Sequence, residues 1–226
     1  EYPGARTQRY VHEQIMTTIY VSMIGESDNA VTQVGGTPTL PPAFQYNPHM
    51  GNFIVQIAFS ELKHTLAPIL PDHGVLYLFF NSDSRKGFGY YYDNYDLSGL
   101  VPKYDLKFGQ AQKLSAVSEG LSCPYSEHLD PHHYDEWGLW KDYAAEAIAS
   151  SYGCPELATH AMLCHPLSVP YDSRDNRNSI VIWQSLSIEE DTICFYMQVD
   201  DLKARKFDQI SAFICDMDER YSATTE

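Results

Sequence analysis

The segment from Val34 to Phe80 constrains the fold more than any other part of the chain. It reads VGGTPTLPPAFQYNPHMGNFIVQIAFSELKHTLAPILPDHGVLYLFF. The glycine pair at 35–36, followed by prolines, predicts a fixed loop, because glycine permits positive φ and proline restricts the backbone. Residues 52–59 and 75–80 are apolar runs of strand length. We expect them to pair as an antiparallel ribbon, with a short helix over residues 61–66 between them.

Strands and helices are both predicted elsewhere in the chain. Apolar residues at helical spacing predict a long helix over residues 136–152, which Gly153 would end. A short strand is predicted within residues 103–114, and Gly87-Phe88-Gly89 predicts a turn. The fold class predicted from this mixture is α+β, with antiparallel β-sheets and a few packed helices. Further strands, rich in β-branched and aromatic residues, are predicted at 17–24, 179–186, 192–199 and 207–215.

Two parts of the chain resemble each other. In each, an apolar strand with one glutamine, Gln56 or Gln184, is followed by a connector with carboxylates and a second apolar strand. This pattern predicts a degenerate internal repeat within a single domain, and chance similarity between apolar strands is the alternative. The predicted parts are a first unit (about 17–100), a divergent middle (about 101–158), a second unit (about 159–215) and a polar tail (216–226).

The two glutamines are expected to be buried, so their amides need hydrogen-bond partners. We predict that they bind loop backbone near the glycine pair, which is a structural role. A ligand-contacting amide pair is the alternative. The predicted structural motif comprises Gly35, Gly36, Pro38, Gln56, Gly74 and Gln184.

Charge and cysteine content limit the partners. A formal net charge of −15 would repel a phosphate backbone, so no nucleic acid partner is predicted. A basic protein partner fits this charge, and acidity that serves only solubility is the alternative. No membrane span is predicted, because no run approaches roughly 18 apolar residues. The five cysteines form no CxxC pair, which favours a reducing, cytoplasmic setting. The start at Glu1 rather than Met is consistent with trimming or processing.

An aromatic cluster follows the second apolar run of the first unit. Aromatic residues are enriched at protein interfaces, so this cluster is the candidate interaction surface. An edge strand that packs on its own sheet is the alternative. The candidate residues are Phe88, Tyr90, Tyr91, Tyr92 and Tyr95.

Candidates for catalysis and metal binding are few. His128, His132 and His133 are of a type that binds divalent metals, but no second set of ligands stands at matched spacing. Cys164 and His165 are adjacent, and adjacent residues rarely form a catalytic pair. No GxSxG, HExxH, P-loop or GxGxxG motif is present. We therefore predict no catalytic residue and no cofactor, and treat metal binding by the three histidines as improbable.

The same motifs resemble those of the YwqG-like proteins, a mainly bacterial family. The matching stretches are VGGTPTLP, FIVQIAFSEL and LPDHGVLYLFF in the first unit, and VIWQS, ICFYMQVDDLKARKF and DQISAFI in the second. The chain departs from the family where HAMLCHP has Cys164-His165 in place of a glycine. The acidic Trp-Gly-Asp connector is also absent, and only Glu189, Glu190 and Asp191 remain there.

The resemblance covers roughly residues 17–215 and is weak between 85 and 155. It implies an α+β fold with antiparallel sheets and no established activity. It also implies an immunity or toxin-associated role, because some members lie near secreted-toxin genes.

Three functions are compatible with these observations. The first is a non-enzymatic interaction or assembly protein that binds a protein partner, or itself, through an acidic, tyrosine-rich surface. The second is a metal-dependent hydrolase centred on His128, His132, His133, Glu136 and His165. The third is a small-ligand binding module between the two units.

Overall fold

The computed structural model describes residues 16–24, 30–62, 69–122, 158–164, 178–186 and 192–215. Within these ranges the chain is mainly β-structure. The strands are β1 (Met16–Ile24), β2 (Gln33–Gly36), β3 (Thr39–Leu40), β4 (Asn52–Ala58), β5 (Val75–Asn81), β6 (Lys86–Tyr92), β7 (Val101–Pro102), β8 (Phe108–Ser122), β9 (His160–Met162), β10 (Ser179–Ser185), β11 (Thr192–Gln198) and β12 (Ser211–Cys215). The α-helices are α1 (Phe59–Leu62) and α2 (Val199–Lys203), and 3-10 turns cover Pro48–Met50, Tyr104–Leu106 and Phe207–Gln209.

The predicted α+β class is wrong, because the described chain is mainly β. The described α-helices are single turns, of four residues in α1 and five in α2. The short strand predicted near residues 103–114 is instead the 15-residue β8, the longest strand. The predicted helix over 136–152 lies outside the described residues. The predictions of antiparallel pairing and of strands at β1, β4, β5, β10 and β11 are confirmed.

Ten strands form one antiparallel sheet in the order β12-β11-β10-β9-β1-β8-β2-β4-β5-β6, and β3 pairs with β7 in a separate ribbon. The long strands β1 and β8 pair with each other at the centre. On one side of them lie β2, β4, β5 and β6, and from here on the first unit means these four strands. On the other side lie β9, β10, β11 and β12, which we call the second unit. The early strand β1 therefore joins the two units.

The two units share their pairing register around the glutamines. Gln56 lies opposite Tyr77 of β5, and Gln184 lies opposite Cys194 of β11. A register shift precedes each glutamine by two residues, between positions 53 and 55 in β4 and between 181 and 183 in β10. Bulges of this kind are local features that sequence alone rarely reveals.

The backbone also turns at corresponding places, two residues after Gln33, the partner of Gln56, and two residues after Ala161, the partner of Gln184. Gly35 has φ 62° and Leu163 has φ 53°, so each chain turns through the left-handed region at the same place relative to its glutamine. A Cβ on Gly35 would lie 2.6 Å from the carbonyl oxygen of Gln110, which explains glycine in the first unit. These correspondences agree with a duplication, which stays a prediction.

The sheet curls until its edge strands β6 and β12 approach each other. Its inner face carries one buried cluster with residues from both units, including Ile57, Leu78, Trp183 and Phe195. Gly87 and Gly89 lie in β6, so the predicted turn there is wrong. A Cβ on Gly89 would overlap the carbonyl oxygen of Phe207. Glycine at this position therefore allows the nearly closed arrangement.

Candidate functional site: an aromatic layer over the first unit

Two segments, residues 37–46 and 93–107, lie over the outer face of the first unit, and we call them the covering layer. The β3–β7 ribbon joins them, and the backbone N–H of Lys103 donates to the carbonyl of Pro38 at 2.9 Å. The ring of Phe44 stacks on Phe79, with centroids 5.9 Å apart. The layer thus covers an apolar cluster that includes Leu40, Phe53, Tyr77 and Phe79.

Two buried polar side chains fix the covering layer at Thr39. The Thr39 N–H donates to Oε1 of Gln56 at 2.9 Å, and the Tyr77 hydroxyl donates to the Thr39 carbonyl at 2.7 Å. The Gln56 amide also donates to the carbonyl of Val31. Burial raises the pKa of the Tyr77 hydroxyl, so it stays a neutral donor. The strand glutamine therefore positions a loop on the outer face of the sheet.

The second segment of the layer begins with two successive side-chain turns. The Asp96 N–H donates to Oδ1 of Asn94 at 3.0 Å, and the Ser98 N–H donates to Oδ1 of Asp96 at 2.9 Å. Hydrogen bonds from the side chain and the backbone of Ser98 lower the pKa of Asp96. Such turns fix the backbone locally without regular secondary structure.

The exposed large hydrophobic side chains of the described residues all lie in or next to the covering layer. Tyr95 and Tyr104 are the most exposed, at 75% and 77%. We call the set the aromatic surface. It consists of Tyr46, Tyr95, Val101, Tyr104 and Phe108. Aromatic side chains are enriched at protein-binding surfaces.

The aromatic surface is nearly balanced in charge. The covering layer holds Asp93, Asp96 and Asp105 against Lys103 and Lys107. All described ranges together hold ten Asp and Glu against eight Lys and Arg, so they carry −2 of the net charge of −15. Most of the negative charge therefore falls on other stretches of the chain, and the aromatic surface is not itself strongly acidic.

The predicted interaction residues divide between three environments. Phe88, Tyr90 and Tyr92 are partly buried against the cluster under the covering layer. Tyr91 points to the other face of β6, where its ring lies 4.9 Å from that of Phe207. Burial raises the pKa of Tyr91 to about 12. Of the five predicted residues, Tyr95 alone belongs to the aromatic surface.

The predicted structural residues lie apart in the two units. Gly36 pairs with Phe108 of β8, and Gly74 accepts a hydrogen bond from the Phe59 N–H just before β5. Pro38 belongs to the covering layer. In the second unit the Gln184 amide donates to Sγ of Cys164 at 3.0 Å. The glutamines thus occupy matching strand positions but have different partners.

A histidine between two carboxylates lies at the edge of the covering layer. Nδ1 of His73 is 2.6 Å from Oδ1 of Asp72, and Nε2 is 2.6 Å from Oδ1 of Asp93. The hydrogen bond to Asp72 is the main reason that the pKa of His73 is raised. The same bond lowers the pKa of Asp72. The imidazole ring also stacks on Tyr95, with centroids 3.7 Å apart.

The second unit holds a buried histidine and thiol instead. His160 stacks on Trp183 with centroids 4.9 Å apart, and burial lowers its pKa to about 4. Burial raises the pKa of Cys164, so its thiol is protonated and unreactive at neutral pH. These groups therefore form part of the core rather than a reactive centre.

The residues of the hydrolase hypothesis, His128, His132, His133, Glu136 and His165, lie outside the described residues. In the part of the chain that the structure describes, no three His, Cys, Asp or Glu side chains lie together as a metal site requires. No helix in those same ranges has the length and apolar character needed to cross a membrane.

Sequence reasoning missed most of the aromatic surface. Tyr46, Val101, Tyr104 and Phe108 stand outside the tyrosine cluster, so the composition of that cluster did not point to them. The contact between His73 and Asp93 has no local sequence signal, because the two residues are 20 positions apart.

A comparison with protein families supplies the identification. A family model described as a domain of unknown function, DUF1963, matches residues 32–216. The chain belongs to the DUF1963 family. The match includes both units, the covering layer and the aromatic surface. A search of curated proteins found no match to this DUF1963 chain.

Proposed function

We propose that this DUF1963 chain is a non-enzymatic assembly protein that binds another protein through its aromatic surface. The observation that carries the proposal is the position of the exposed large hydrophobic side chains. Within the described residues they all lie on or beside one layer over the first unit. Exposed tyrosines supply large contact area at low entropic cost, and they are frequent among residues that dominate binding energy.

The partner to which we commit is a second copy of this chain. A two-fold interface brings the same surface of both copies together, so the surface must complement itself. The covering layer carries lysines and aspartates in nearly equal number, which suits such pairing.

The association that we propose does not use the edge of β6. That edge packs against the segment that leads into β12, where Gly87 and Gly89 lie close to Ala212 and Phe207. Adding a strand from another chain there would require this contact to open. The aromatic surface remains available without such a rearrangement.

The resemblance to the YwqG-like family supports a second partner, a toxin-associated protein. Under that alternative the chain is an immunity-type protein of the reducing cytoplasm, and the same aromatic surface binds the partner. We place self-association first because the mixed charge of the layer favours it directly.

Sedimentation velocity over a wide concentration range tests the proposal. We expect a concentration-dependent dimer in the unaltered protein. The double variant Tyr95→Lys/Tyr104→Lys should weaken dimerisation by at least about 30-fold, which corresponds to about 2 kcal/mol. The matched control Ser84→Lys/Gln209→Lys adds the same charge at exposed positions outside the layer and should leave dimerisation unchanged.

A protein that stays monomeric at every concentration overturns self-association. A dimer whose dissociation constant is the same in both double variants overturns the assignment to the aromatic surface. Far-ultraviolet circular dichroism of each variant excludes misfolding as the cause of a change.

A further inference from the structure

A small set of side chains around His73 connects the turn before β5 to the start of the second layer segment. Both ring nitrogens of His73 contact carboxylate oxygens at 2.6 Å, one from Asp72 in its own turn and one from Asp93 in the covering layer. The hydroxyl of Tyr91 donates to the carbonyl of His73 at 2.9 Å. Both the ring and the backbone of His73 are therefore held in place.

This geometry requires the charged form of the imidazole. A neutral imidazole carries one N–H and one lone pair, so it can donate to a single carboxylate. The imidazolium donates to both, and each of those hydrogen bonds is strengthened by charge. Loss of the proton would place a ring lone pair against a carboxylate oxygen of Asp72 or Asp93. One of the two contacts would then break.

The groups around the ring come from four parts of the fold. Asp72 lies in the same turn, Tyr91 in β6 and Asp93 just after β6. Arg205, from the turn after α2, interacts electrostatically with Asp72 and with Tyr91. The two carboxylates in direct contact favour the cation, and burial of the ring opposes it.

Tyr95 depends on this arrangement for its position. Its ring lies parallel to the imidazole within 11° and at 3.7 Å, while 75% of the residue is exposed. A cation stacked on the face of an aromatic ring is attracted to it. Asp93 and Tyr95 are two residues apart, so the ion pair and the stacked ring hold the same short segment.

We propose that protonated His73 is a latch that holds Tyr95 in the aromatic surface, so that a rise in pH releases this residue and weakens association. The inference concerns regulation of the surface described above and rests on the proposed function. The latch closes when His73 donates to both carboxylates. It opens when the proton is lost and the segment from Asp93 to Tyr95 separates from the turn.

Nuclear magnetic resonance of the full chain tests the latch without any partner. At a protein concentration where the chain is monomeric, the ring signals of His73 and Tyr95 are followed as pH increases. We expect both to change with one midpoint, above the ordinary histidine value of about 6.5. Asp93→Asn should lower that midpoint by about one pH unit and reduce the change at Tyr95.

Two controls accompany the titration. His73→Gln should abolish the pH-dependent change at Tyr95, whereas His49→Gln, at an exposed histidine outside the contact, should leave it intact. Tyr95 signals that stay constant while His73 titrates overturn the latch. So does a transition that persists unchanged in Asp93→Asn.

Different results would exclude the latch and the proposed function. If the chain never dimerises, the coupled titration of His73 and Tyr95 still supports the latch, while self-association is excluded. If dimerisation occurs but its dissociation constant is the same below and above the His73 midpoint, the aromatic surface stands and its regulation by His73 is excluded.

Discussion

The first and second units share their strand register but differ in the size of the side chains on their outer faces. Where the first unit has Tyr77 opposite its glutamine, the second has Cys194. Where the first has Phe53 before the register shift, the second has Val181. The larger rings of the first unit need a cover to exclude water, and the covering layer supplies it. The residues under the covering layer are therefore larger than their equally buried counterparts in the second unit.

The units also differ in the size of the side chains on their edge strands, where the sheet nearly closes. Gly89 in β6 precedes Tyr90, which lies opposite Tyr77. Ala212 in β12 precedes Phe213, which lies opposite Cys194, so the two positions correspond. Glycine in the first unit leaves room for the backbone of the second. The close approach of the edge strands therefore depends on two glycines of β6: Gly87 lies against Ala212, and Gly89 lies against Phe207 just before β12.

The largest effect is expected from filling that space. Gly89→Ala should lower the free energy of unfolding by about 3 kcal/mol, because the new methyl group overlaps the Phe207 carbonyl. The corresponding change in the second unit, Ala212→Gly, should cost about 1 kcal/mol. Urea unfolding followed by circular dichroism measures both. Equal losses would show that the two edges are equivalent and that the asymmetry is unimportant.

A smaller effect is expected at the matched glutamines. Gln56→Leu removes the acceptor of the Thr39 N–H and the donor to Val31, so we expect a loss of about 2 kcal/mol in unfolding free energy. Gln184→Leu removes the hydrogen bond to the Cys164 sulfur, and the loss of that bond should cost less because sulfur is a weak acceptor. Gln209→Leu, at an exposed position, is the control. A larger loss at Gln184 than at Gln56 would reverse this comparison.

The smallest effect is expected from the loss of the His73 proton, which should lower the stability of the folded protein as pH rises. The pKa of His73 is raised in the folded protein, so its contribution is fully present below the unfolded value of about 6.5 and is lost as pH rises through the folded value. Comparing the urea midpoint at about pH 6 and about pH 8 should show this loss, which His73→Gln removes. If that variant keeps the whole pH dependence, His73 does not contribute to it.

Most of the sheet could be predicted from local sequence pattern. The apolar runs of β4, β5, β10 and β11 are continuous and bounded by turn residues, so their existence was clear. The fold class was wrong because the described α-helices are single turns while strands make up most of the described chain. The length of β8 was missed because its exposed, polar residues lack the apolar alternation of a half-buried strand.

The candidate site was harder to predict, since it depends on which segment covers which face. The tyrosines of β6 have the composition of an interface, but Phe88, Tyr90 and Tyr92 lie under the covering layer. One segment of that layer precedes β4 in the sequence and the other follows β6. Pairing of His73 with Asp93 depends on the β5–β6 hairpin that brings them together. Such contacts follow from tertiary structure, and no local pattern encodes them.

The central position of β1 has a consequence for synthesis on the ribosome. This strand leaves the exit tunnel first, yet its partners are β8, over residues 108–122, and β9, which begins at His160. The first hairpins, β4–β5 and β5–β6, can form while β1 still has no neighbour. Because long-range strand pairing is slow, the nascent chain carries an unpaired apolar strand at least until β8 has emerged. A chaperone that binds β1 would therefore protect an apolar strand whose neighbours are synthesised much later.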